Sequence, residues 1–417
     1  MLSVKKFSII CDLDGKILSF NHKCENFFKL LKQDVVGIER IYNLISSEFV
    51  IYFIDKFNYF KNTQTDFYHV SVILNNSISI NLVLRKKNNK KFIIVDFFDS
   101  PNVLIKPKKS FLNSINLIFR SKFTLGSILP FFFSFFISIN NFDDYSLSIT
   151  FILFVALYFL HVSANTFNDY FDWKSGRDKI NVDYVLFSTG GSRAIDLKLI
   201  SEKNMLYLSI LSLFIVSILG LILIYLRGFL IFYLGFIGFF CVYFYSAPPI
   251  HLASRYGLGE IMHIICLGPL MTYSCTYALT GSSNLDYLVL GFPFGLLITC
   301  CLLLNEVPDS KFDKISKKFN LVVFLGLERV PYLFSILFLF AFCIILIYTL
   351  FFNYIFFVFI FIIIPYFLNG IKHVFNISLY RNSVNKACLF SFYIYLYVGL
   401  ILILSSILNS LTYFYPW

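Results

Sequence analysis

Long apolar runs dominate the chain after Phe123, whereas a mixed polar and apolar pattern precedes it. A helix needs about 20 residues to cross the hydrocarbon core of a bilayer, and lipid-exposed runs with so few charges span as helices. The pattern predicts nine transmembrane helices, at 123–140, 147–170, 204–225, 228–247, 259–280, 286–306, 330–350, 354–369 and 387–408. The expected fold is therefore an all-α multi-pass membrane protein preceded by a smaller domain.

Residues 1–100 alternate between short strand-like and helix-like patterns. "FSIICDLDGKILSF" predicts two strands around a turn at Asp14–Gly15, because Asp-Gly is a strong hairpin signal. Helical periodicity follows in "NHKCENFFKLLKQ" and "IYNLISSEFVIYFIDKFNYF", and three strand-like runs end the segment. A small α+β domain is predicted, joined by a Pro- and Lys-rich linker at 101–118 to the membrane domain at 119–410.

Composition supports the membrane assignment. Hydrophobic residues make up 58% of the chain and charged residues 14%, and the mean hydropathy is +0.74; soluble proteins average about 25% charged residues. The net charge is +11, and 19 of the 35 Lys and Arg residues precede Phe123. This balance favours contact with an anionic membrane surface or anionic substrates. No motif indicates nucleic-acid binding, and the cysteines have no metal-binding spacing.

The basic residues predict the orientation. The loops after the second, fourth, sixth and eighth runs hold the positive charges, whereas Arg227 is the one basic residue predicted in the opposite loops. Because cytoplasmic loops of membrane proteins are enriched in Lys and Arg, the N-terminus and the even-numbered loops are predicted to face the cytoplasm.

A first acidic cluster, "NTFNDYFDWKSGRD", ends the second apolar run. Asn165, Asp169 and Asp172 are spaced i, i+4 and i+7, so a helix presents all three on one face. A second cluster, "NEVPDSKFDK", ends the sixth run, and there Asn305, Asp309 and Asp313 repeat at intervals of four.

These two clusters predict a magnesium–diphosphate site. Hard cations take oxygen ligands, and Mg²⁺ commonly binds through one or two carboxylates plus substrate phosphates. Basic side chains beside the clusters are candidates for the remaining phosphate oxygens: Lys174, Arg177, Arg193 and Lys311. A polar cluster at a helix end can instead be a solvated cap, but two similarly spaced clusters on one predicted side favour a shared function.

Both clusters resemble the two aspartate-rich motifs of the UbiA superfamily of membrane prenyltransferases. Three further stretches are similar to that family: "FRSKFTLGSILP", "STGGSRAI" and "YSAPPIHLASRYGLGE". The resemblance covers residues 111–410 and implies Mg²⁺-dependent transfer of a polyprenyl group from a polyprenyl diphosphate to an aromatic acid in quinone biosynthesis. It implies metal ligation by Asn165, Asp169, Asp172, Asp309 and Asp313, the four aspartates being the catalytic residues.

Details of the motifs resemble the menaquinone branch, whose acceptor is dihydroxynaphthoate. The first motif has Gly176 where other branches often place a third aspartate, and Asp178 is a candidate to replace it. Hydroxybenzoate or another acceptor of the superfamily is the alternative. The candidates for contacts with the aromatic acceptor are Arg255, Tyr245 and Glu306, although Arg255 could instead anchor its loop at the membrane interface. Asn305 and Asp178 are further candidates for substrate binding. Arg120 could face the pocket, and His161 could act as a proton acceptor.

The N-terminal segment resembles PAS sensor domains in its order of elements and in "DLDGKILSFNHKCENFF". A small ligand in that domain is possible, and its identity stays open. Two non-enzyme alternatives are a PAS-linked membrane sensor, which predicts a broken acidic motif, and an ion-coupled transporter. A transporter predicts acids in mid-span and inverted repeats; here the acids lie at the ends of runs predicted to be parallel.

Overall fold

A computed structural model describes residues 5–20, 40–45, 50–62, 67–73, 79–87, 92–99, 111–144, 146–180, 191–351, 354–377 and 381–414. The chain divides into two compact units. We call the unit of Met1–Ile118 and Arg193–Ser201 the N-terminal unit, and the unit of Phe119–Ser192 and Glu202–Trp417 the helical unit.

The N-terminal unit contains the expected small α+β domain. Its antiparallel sheet has the strand order β2-β1-β5-β4-β3. The strands are β1 Lys5–Cys11, β2 Ile17–Phe20, β3 Phe67–Ile73, β4 Ser79–Lys87 and β5 Phe92–Asp99, and the helix α1 is Val50–Asn62. Every second residue of β5 from Ile93 to Phe97 is fully buried, as is Phe57 of α1, because one face of the sheet forms the core.

Two predictions for this unit fall wholly or partly outside the described residues. The predicted helix of "NHKCENFFKLLKQ" lies outside the described residues, as do positions 101–110 of the predicted linker. The end of that linker forms a helix, α2, at Phe111–Phe119. The domain limits drawn from the sequence therefore stay a prediction.

The helical unit is a bundle of apolar helices. Its helices are α3 Leu125–Ser138, α4 Ser146–Lys174, α5 Arg177–Ile180, α6 Glu202–Arg227, α7 Leu230–Ser246, α8 Leu258–Ile265, α9 Met271–Thr280, α10 Asp286–Glu306, α11 Ser310–Ile315, α12 Leu321–Leu325, α13 Val330–Phe351, α14 Ile364–Phe375 and α15 Arg381–Phe414. A π-helical turn, Cys266–Leu270, joins α8 to α9, and a 3-10 segment, Ile355–Ile363, precedes α14.

Seven helices of the described chain are long and apolar enough to cross a membrane. The protein is therefore a multi-pass membrane protein, but nine spans are not confirmed. The two remaining predicted spans form shorter apolar helices, Leu125–Asn141 and Leu230–Ser246. At 1.5 Å per residue, helices of this length reach about 26 Å, slightly less than the hydrocarbon core of about 30 Å.

The helix α10 is the centre of the bundle. Its apolar stretch is 78% buried, whereas the other long helices bury 22–50% of theirs. Close backbone contact explains this position. A Cβ on Gly295 would clash with the carbonyl oxygen of Ile264, and one on Gly291 would lie 2.6 Å from the carbonyl oxygen of Gly268. Paired small residues let two membrane helices approach in this way. The contact holds the end of α10, with its acidic motif, beside α8.

Candidate active site

Both acidic motifs open into one cavity of the helical unit, with a volume of about 260 Å³. The first motif reaches it from the end of α4, and the second reaches it from the end of α10 and from α11. Among the predicted polar residues on its wall are Asn165, Asp172, Asp178, Asn305, Asp309 and Asp313. The helical spacing found in the sequence thus places distant oxygen-bearing side chains around one space.

Asp169 is held beside this cavity and is not among the described residues of its wall. Its side chain is buried; Oδ1 accepts a hydrogen bond from the backbone N–H of Ser192 at 3.2 Å and lies 3.7 Å from Nη1 of Arg120. Its other oxygen, Oδ2, has no hydrogen-bond partner among the described residues. Asp169 therefore has one anchored oxygen and one buried oxygen available to a cation.

Asp172 faces a guanidinium inside the cavity. Nη1 of Arg177 lies 3.0 Å from Oδ1 of Asp172, and Nη2 donates to Oγ of Ser254 at 3.2 Å. The salt bridge spans the turn between α4 and α5. Because charge-assisted contacts of this kind orient a side chain, Arg177 is directed toward the acids rather than toward solvent.

Asp313 and Lys318 form the corresponding pair of the second motif. Oδ2 of Asp313 lies 3.5 Å from Nζ of Lys318 and accepts a hydrogen bond from Nδ2 of Asn320 at 2.9 Å. Burial raises the pKa of Asp313 to about 6; Lys318 opposes the shift, and Asp309 and Asp172 add to it. Burial alone would lower the pKa of Lys318, but carboxylates led by Asp313 and Asp172 raise it above its usual range. Lys318 is therefore a partly buried cation, with 14% of its side chain exposed, and the two motifs interact electrostatically.

Three cations line the wall among the described residues: Arg120, Arg177 and Lys318. Of these, the sequence singled out Arg177 as a phosphate ligand and named Arg120 only as a possible pocket residue. It missed Lys318, which lies beyond α11 in a segment rich in lysines. The one feature of the sequence that could have indicated Lys318 as a cavity residue is its position five residues after Asp313.

Four predicted basic residues are not on the wall. Lys174 donates to the hydroxyl of Tyr170 at 3.2 Å, and Lys311 is exposed beside the ring of Phe312. Arg255 is exposed and donates to the carbonyl oxygens of Ile250 and Pro249, at 2.9 and 3.3 Å.

The fourth, Arg193, belongs to the N-terminal unit. The described residues that surround the cavity include none of these four basic residues.

Tyr245 and Glu306 are on the wall, as predicted for substrate contacts, and so are His161 and Asn168. Oε2 of Glu306 is buried with no hydrogen-bond partner in the described chain. Asn168, which the sequence did not single out, donates to Oγ of Ser246 at 2.8 Å. It lies three residues after Asn165 on the same helix face, which is the signal that could have identified it.

The donor set fits Mg²⁺, because every candidate ligand offers oxygen. No three His, Cys, Asp or Glu side chains in the described ranges are grouped closely enough to enclose a metal. Mg²⁺ does not need such a cage, since it keeps waters and commonly shares one or two carboxylates with substrate phosphates. The buried Oδ2 of Asp169 is a further oxygen suited to this role.

A second cavity of about 440 Å³ adjoins the first and has a mostly apolar wall. It lies among α4, α6, α7 and the α8–α9 segment. Both cavities share six wall residues: His161, Ala164, Cys241, Val242, Cys266 and Leu267. The polar site therefore lies next to an apolar chamber inside the helical unit.

Comparison with known proteins gives two relatives at low identity. The chain is 24% identical over 179 residues to a 1,4-dihydroxy-2-naphthoate octaprenyltransferase of Bacillus subtilis. The aligned residues make up 42% of this chain and 55% of that protein. It is 27% identical over 206 residues to a UbiA prenyltransferase domain-containing protein of Dictyostelium discoideum. Here the aligned residues make up 49% of this chain and 60% of that protein. The matched region thus spans little more than half the length of these relatives.

Among solved structures, a UbiA homolog from Archaeoglobus fulgidus bound to GPP and Mg²⁺ aligns with a TM-score of 0.44 and 17% identity, covering 70% of this chain and 99% of that one. The model of the UbiA prenyltransferase family matches residues 127–397, which is more than half of the chain and includes both acidic motifs. The chain therefore belongs to the UbiA prenyltransferase family.

Proposed function

We propose that the protein is a Mg²⁺-dependent prenyltransferase that moves a polyprenyl group from its diphosphate to an aromatic acid during quinone biosynthesis. The observation that carries the proposal is the pairing of two oxygen-rich motifs with three cations, Arg120, Arg177 and Lys318, around one cavity. Acids alone would suit a metal, and cations alone would suit a phosphate. Their combination suits a metal–diphosphate group.

In this proposal Asn165, Asp169, Asp172, Asp309 and Asp313 hold Mg²⁺, and the three cations bind diphosphate oxygens. When bound, the metal supplies charge neutralisation for the leaving group. Arg177 and Lys318 are paired with carboxylates in the structure, at 3.0 and 3.5 Å. Those salt bridges hold the cations in place before the substrate arrives, which lowers the cost of organising the site.

The proposed reaction begins as the bond between the prenyl carbon and the diphosphate oxygen breaks, and the electron pair stays with the diphosphate. The apolar wall residues Phe123, Leu302 and Phe312 exclude water that would quench the allylic cation. An electron-rich ring carbon of the acceptor then forms the new carbon–carbon bond. With dihydroxynaphthoate, the attacked ring carbon is the one that bears the carboxylate, and the loss of that group as carbon dioxide returns an electron pair to the ring and restores its aromaticity.

The proposed acceptor is dihydroxynaphthoate, and hydroxybenzoate is the alternative. The motif details and the Bacillus subtilis relative support the naphthoate. Tyr245 and Glu306 are the candidates for acceptor contacts, because both line the cavity. Arg255 is the weaker candidate, since its guanidinium is exposed and bonded to carbonyls of its own loop.

We further propose that the protein lies in the cytoplasmic membrane with the site facing the cytoplasm. The basic loops beside both motifs support this orientation. Residues 1–100 are proposed as a PAS-like sensor domain, and its effect on turnover is measured by deleting residues 1–100.

Prenyl transfer in purified membranes tests the function. The assay contains Mg²⁺, octaprenyl diphosphate and either dihydroxynaphthoate or hydroxybenzoate, with Asp172→Asn and Asp309→Asn as site variants. Asp286→Asn is the matched control, because Asp286 is an exposed carboxylate in the first turn of α10, at the other end from the second motif. A prenylated naphthoquinol from the wild type and the control alone supports the proposal.

Product from hydroxybenzoate alone moves the protein to the alternative acceptor. No product with either acid, or equal product from both site variants, overturns the metal–diphosphate assignment.

A further inference from the structure

The chain between α11 and α12, residues 316–320, carries two side chains to the second acidic motif. We call these residues the return segment. Nζ of Lys318 lies 3.5 Å from Oδ2 of Asp313, and Nδ2 of Asn320 donates a hydrogen bond to the same oxygen at 2.9 Å. The backbone N–H of Lys318 also donates to the carbonyl oxygen of Asp313 at 2.8 Å. The place of Lys318 on the cavity wall therefore depends on where the return segment is held.

A second stretch of the chain, residues 252–260, contacts the return segment. The backbone N–H of Tyr256 donates to the carbonyl oxygen of Phe319 at 2.6 Å, and the two rings stack with their centroids 5.4 Å apart. The backbones of Arg255 and Phe319 pair in a short parallel bridge. The stretch ends in the sequence "GLGE", which places the carboxylate of Glu260 in the first turn of α8.

Glu260 connects α8 to the end of the return segment. Its side chain is buried, and Oε1 accepts a hydrogen bond from the backbone N–H of Leu321 at 2.7 Å. Leu321 begins α12, and the first N–H groups of a helix have no partner within that helix. Asn320 satisfies another of these groups, because its Oδ1 accepts from the N–H of Val323 at 2.9 Å. Two side chains thus fix the point where the return segment meets α12.

Close packing fixes the position of Glu260 in turn. A Cβ on Gly259 would lie 2.8 Å from Cα of Ala253, so α8 begins in contact with the 3-10 turn Leu252–Ser254. The carboxyl group of Glu260 lies next to that of Glu306, which is on the cavity wall. Glu260 itself is not among the described residues of the wall. It therefore lies one layer behind the cavity, where it acts on the site through other residues.

We propose that Glu260 is a positioning residue for the donor diphosphate: it holds Leu321, and with it the return segment, so that Lys318 reaches the cavity. The inference rests on the proposed function, in which Lys318 is a diphosphate ligand. Because the partner of Glu260 is a backbone N–H, this role needs an oxygen acceptor and no negative charge. A carboxylate that acted on the metal or the substrate would need its charge. The two roles predict opposite behaviour for an amide at position 260.

The experiment compares Glu260→Gln and Glu260→Leu in steady-state prenyl transfer, with octaprenyl diphosphate varied at a saturating concentration of acceptor. Glu260→Leu is expected to lower kcat/KM for the donor at least about tenfold, because a ligand loses the partner that orients it. Glu260→Gln keeps the acceptor oxygen and should remain within about twofold of the wild type. Glu328→Leu is the matched control, because Glu328 is an exposed carboxylate shortly after α12, and it should retain wild-type kinetics.

Leu321→Pro removes the same hydrogen bond from the side of its donor, because proline has no N–H. Leu321 is the first residue of α12, a position that favours proline, and Asn320 before it is extended, with φ −68° and ψ 176°. This variant is expected to show the same fall as Glu260→Leu. It keeps the proposal testable if the leucine variant does not fold, which thermal unfolding in detergent shows.

A double variant tests whether Glu260 acts through Lys318. Glu260→Leu combined with Lys318→Met is expected to lose about as much as Lys318→Met alone, because the contact that Glu260 supports is already absent. Losses that multiply show independent action, for example through Glu306, and overturn the inference.

Two further results overturn it: a loss in Glu260→Gln as large as in Glu260→Leu, or wild-type kinetics in both Glu260→Leu and Leu321→Pro. Failure of the proposed function looks different, since the wild type would then transfer no prenyl group.

Discussion

The backbone of Gly191 lies so close to Asp169 that a Cβ on Gly191 would be 2.8 Å from Oδ1 of that carboxylate. Gly191 also has a φ of +76°, which glycine adopts more readily than other residues. The next residue, Ser192, donates its N–H to the same oxygen. One short segment after the first motif thus both makes room for Asp169 and anchors it.

Gly191→Ala is expected to lower prenyl transfer by about tenfold, because the added methyl group displaces an oxygen that the site needs in place. Steady-state turnover in membranes measures the loss. The matched control is Gly326→Ala, since Gly326 has a φ of +81° but nothing within 4 Å of its Cβ position. That variant carries the backbone strain without the contact, so an equal loss in both would refute the role of the Asp169 contact.

Lys318→Met is expected to lower kcat/KM for the donor by about 10- to 100-fold, because a charge-assisted contact to a phosphate is worth about 1.5–3 kcal/mol. Lys318 lines the cavity, whereas its neighbour Lys317 is exposed and not among the described wall residues. Lys317→Met is therefore the control and should retain wild-type kinetics. Matching losses in the two variants would show that general positive charge near the membrane, rather than the cation beside Asp313, matters.

Removal of Mg²⁺ by a chelator is expected to abolish turnover, and added Mg²⁺ should restore it. The Asp309→Asn variant should need about 10- to 100-fold more Mg²⁺ for half-maximal rate, because one carboxylate ligand is lost. A titration of rate against free Mg²⁺ measures this shift. An unchanged Mg²⁺ requirement in Asp309→Asn would remove Asp309 from the proposed ligand set. Asp286→Asn is the control and should show the Mg²⁺ requirement of the wild type.

Gly295→Ala is expected to destabilise the protein by about 1–3 kcal/mol, because overpacking a tight contact forces the helices apart. The new Cβ would clash with the carbonyl oxygen of Ile264, which belongs to the backbone and has little freedom to move. Thermal unfolding in detergent measures the change. Gly220→Ala is the control, and with no atom within 4 Å it should unfold at or above the wild-type temperature.

Much of the helical unit is predictable from the sequence because burial in lipid imposes long uninterrupted apolar runs. The predicted run at 286–306 coincides with α10, and the run at 147–170 lies within α4. The acidic faces follow from helix geometry, which is local: residues at i and i+7 share a side whatever surrounds them. Asn165 and Asp172 accordingly line one cavity.

The sequence could not decide which cations reach the acids. Lys311 is two residues from Asp309 yet exposed, whereas Lys318 is nine residues away yet partly buried beside Asp313. Lys317, with a φ of +58°, turns the chain after α11 and brings Lys318 back toward the site. Proximity along the chain says little about a long flexible side chain, whose direction depends on packing against other elements.

The sequence by itself thus determined the long apolar runs, the small N-terminal α+β domain and the two acidic motifs, because each depends on short-range periodicity. Tertiary structure alone decided that Asp169 lies behind the wall, that Arg120 and Lys318 face the cavity, and that an apolar chamber adjoins it. These features arise where separate helices meet. How closely two helices approach depends on packing between residues distant in the chain, as at Gly295 of α10 and Ile264 of α8.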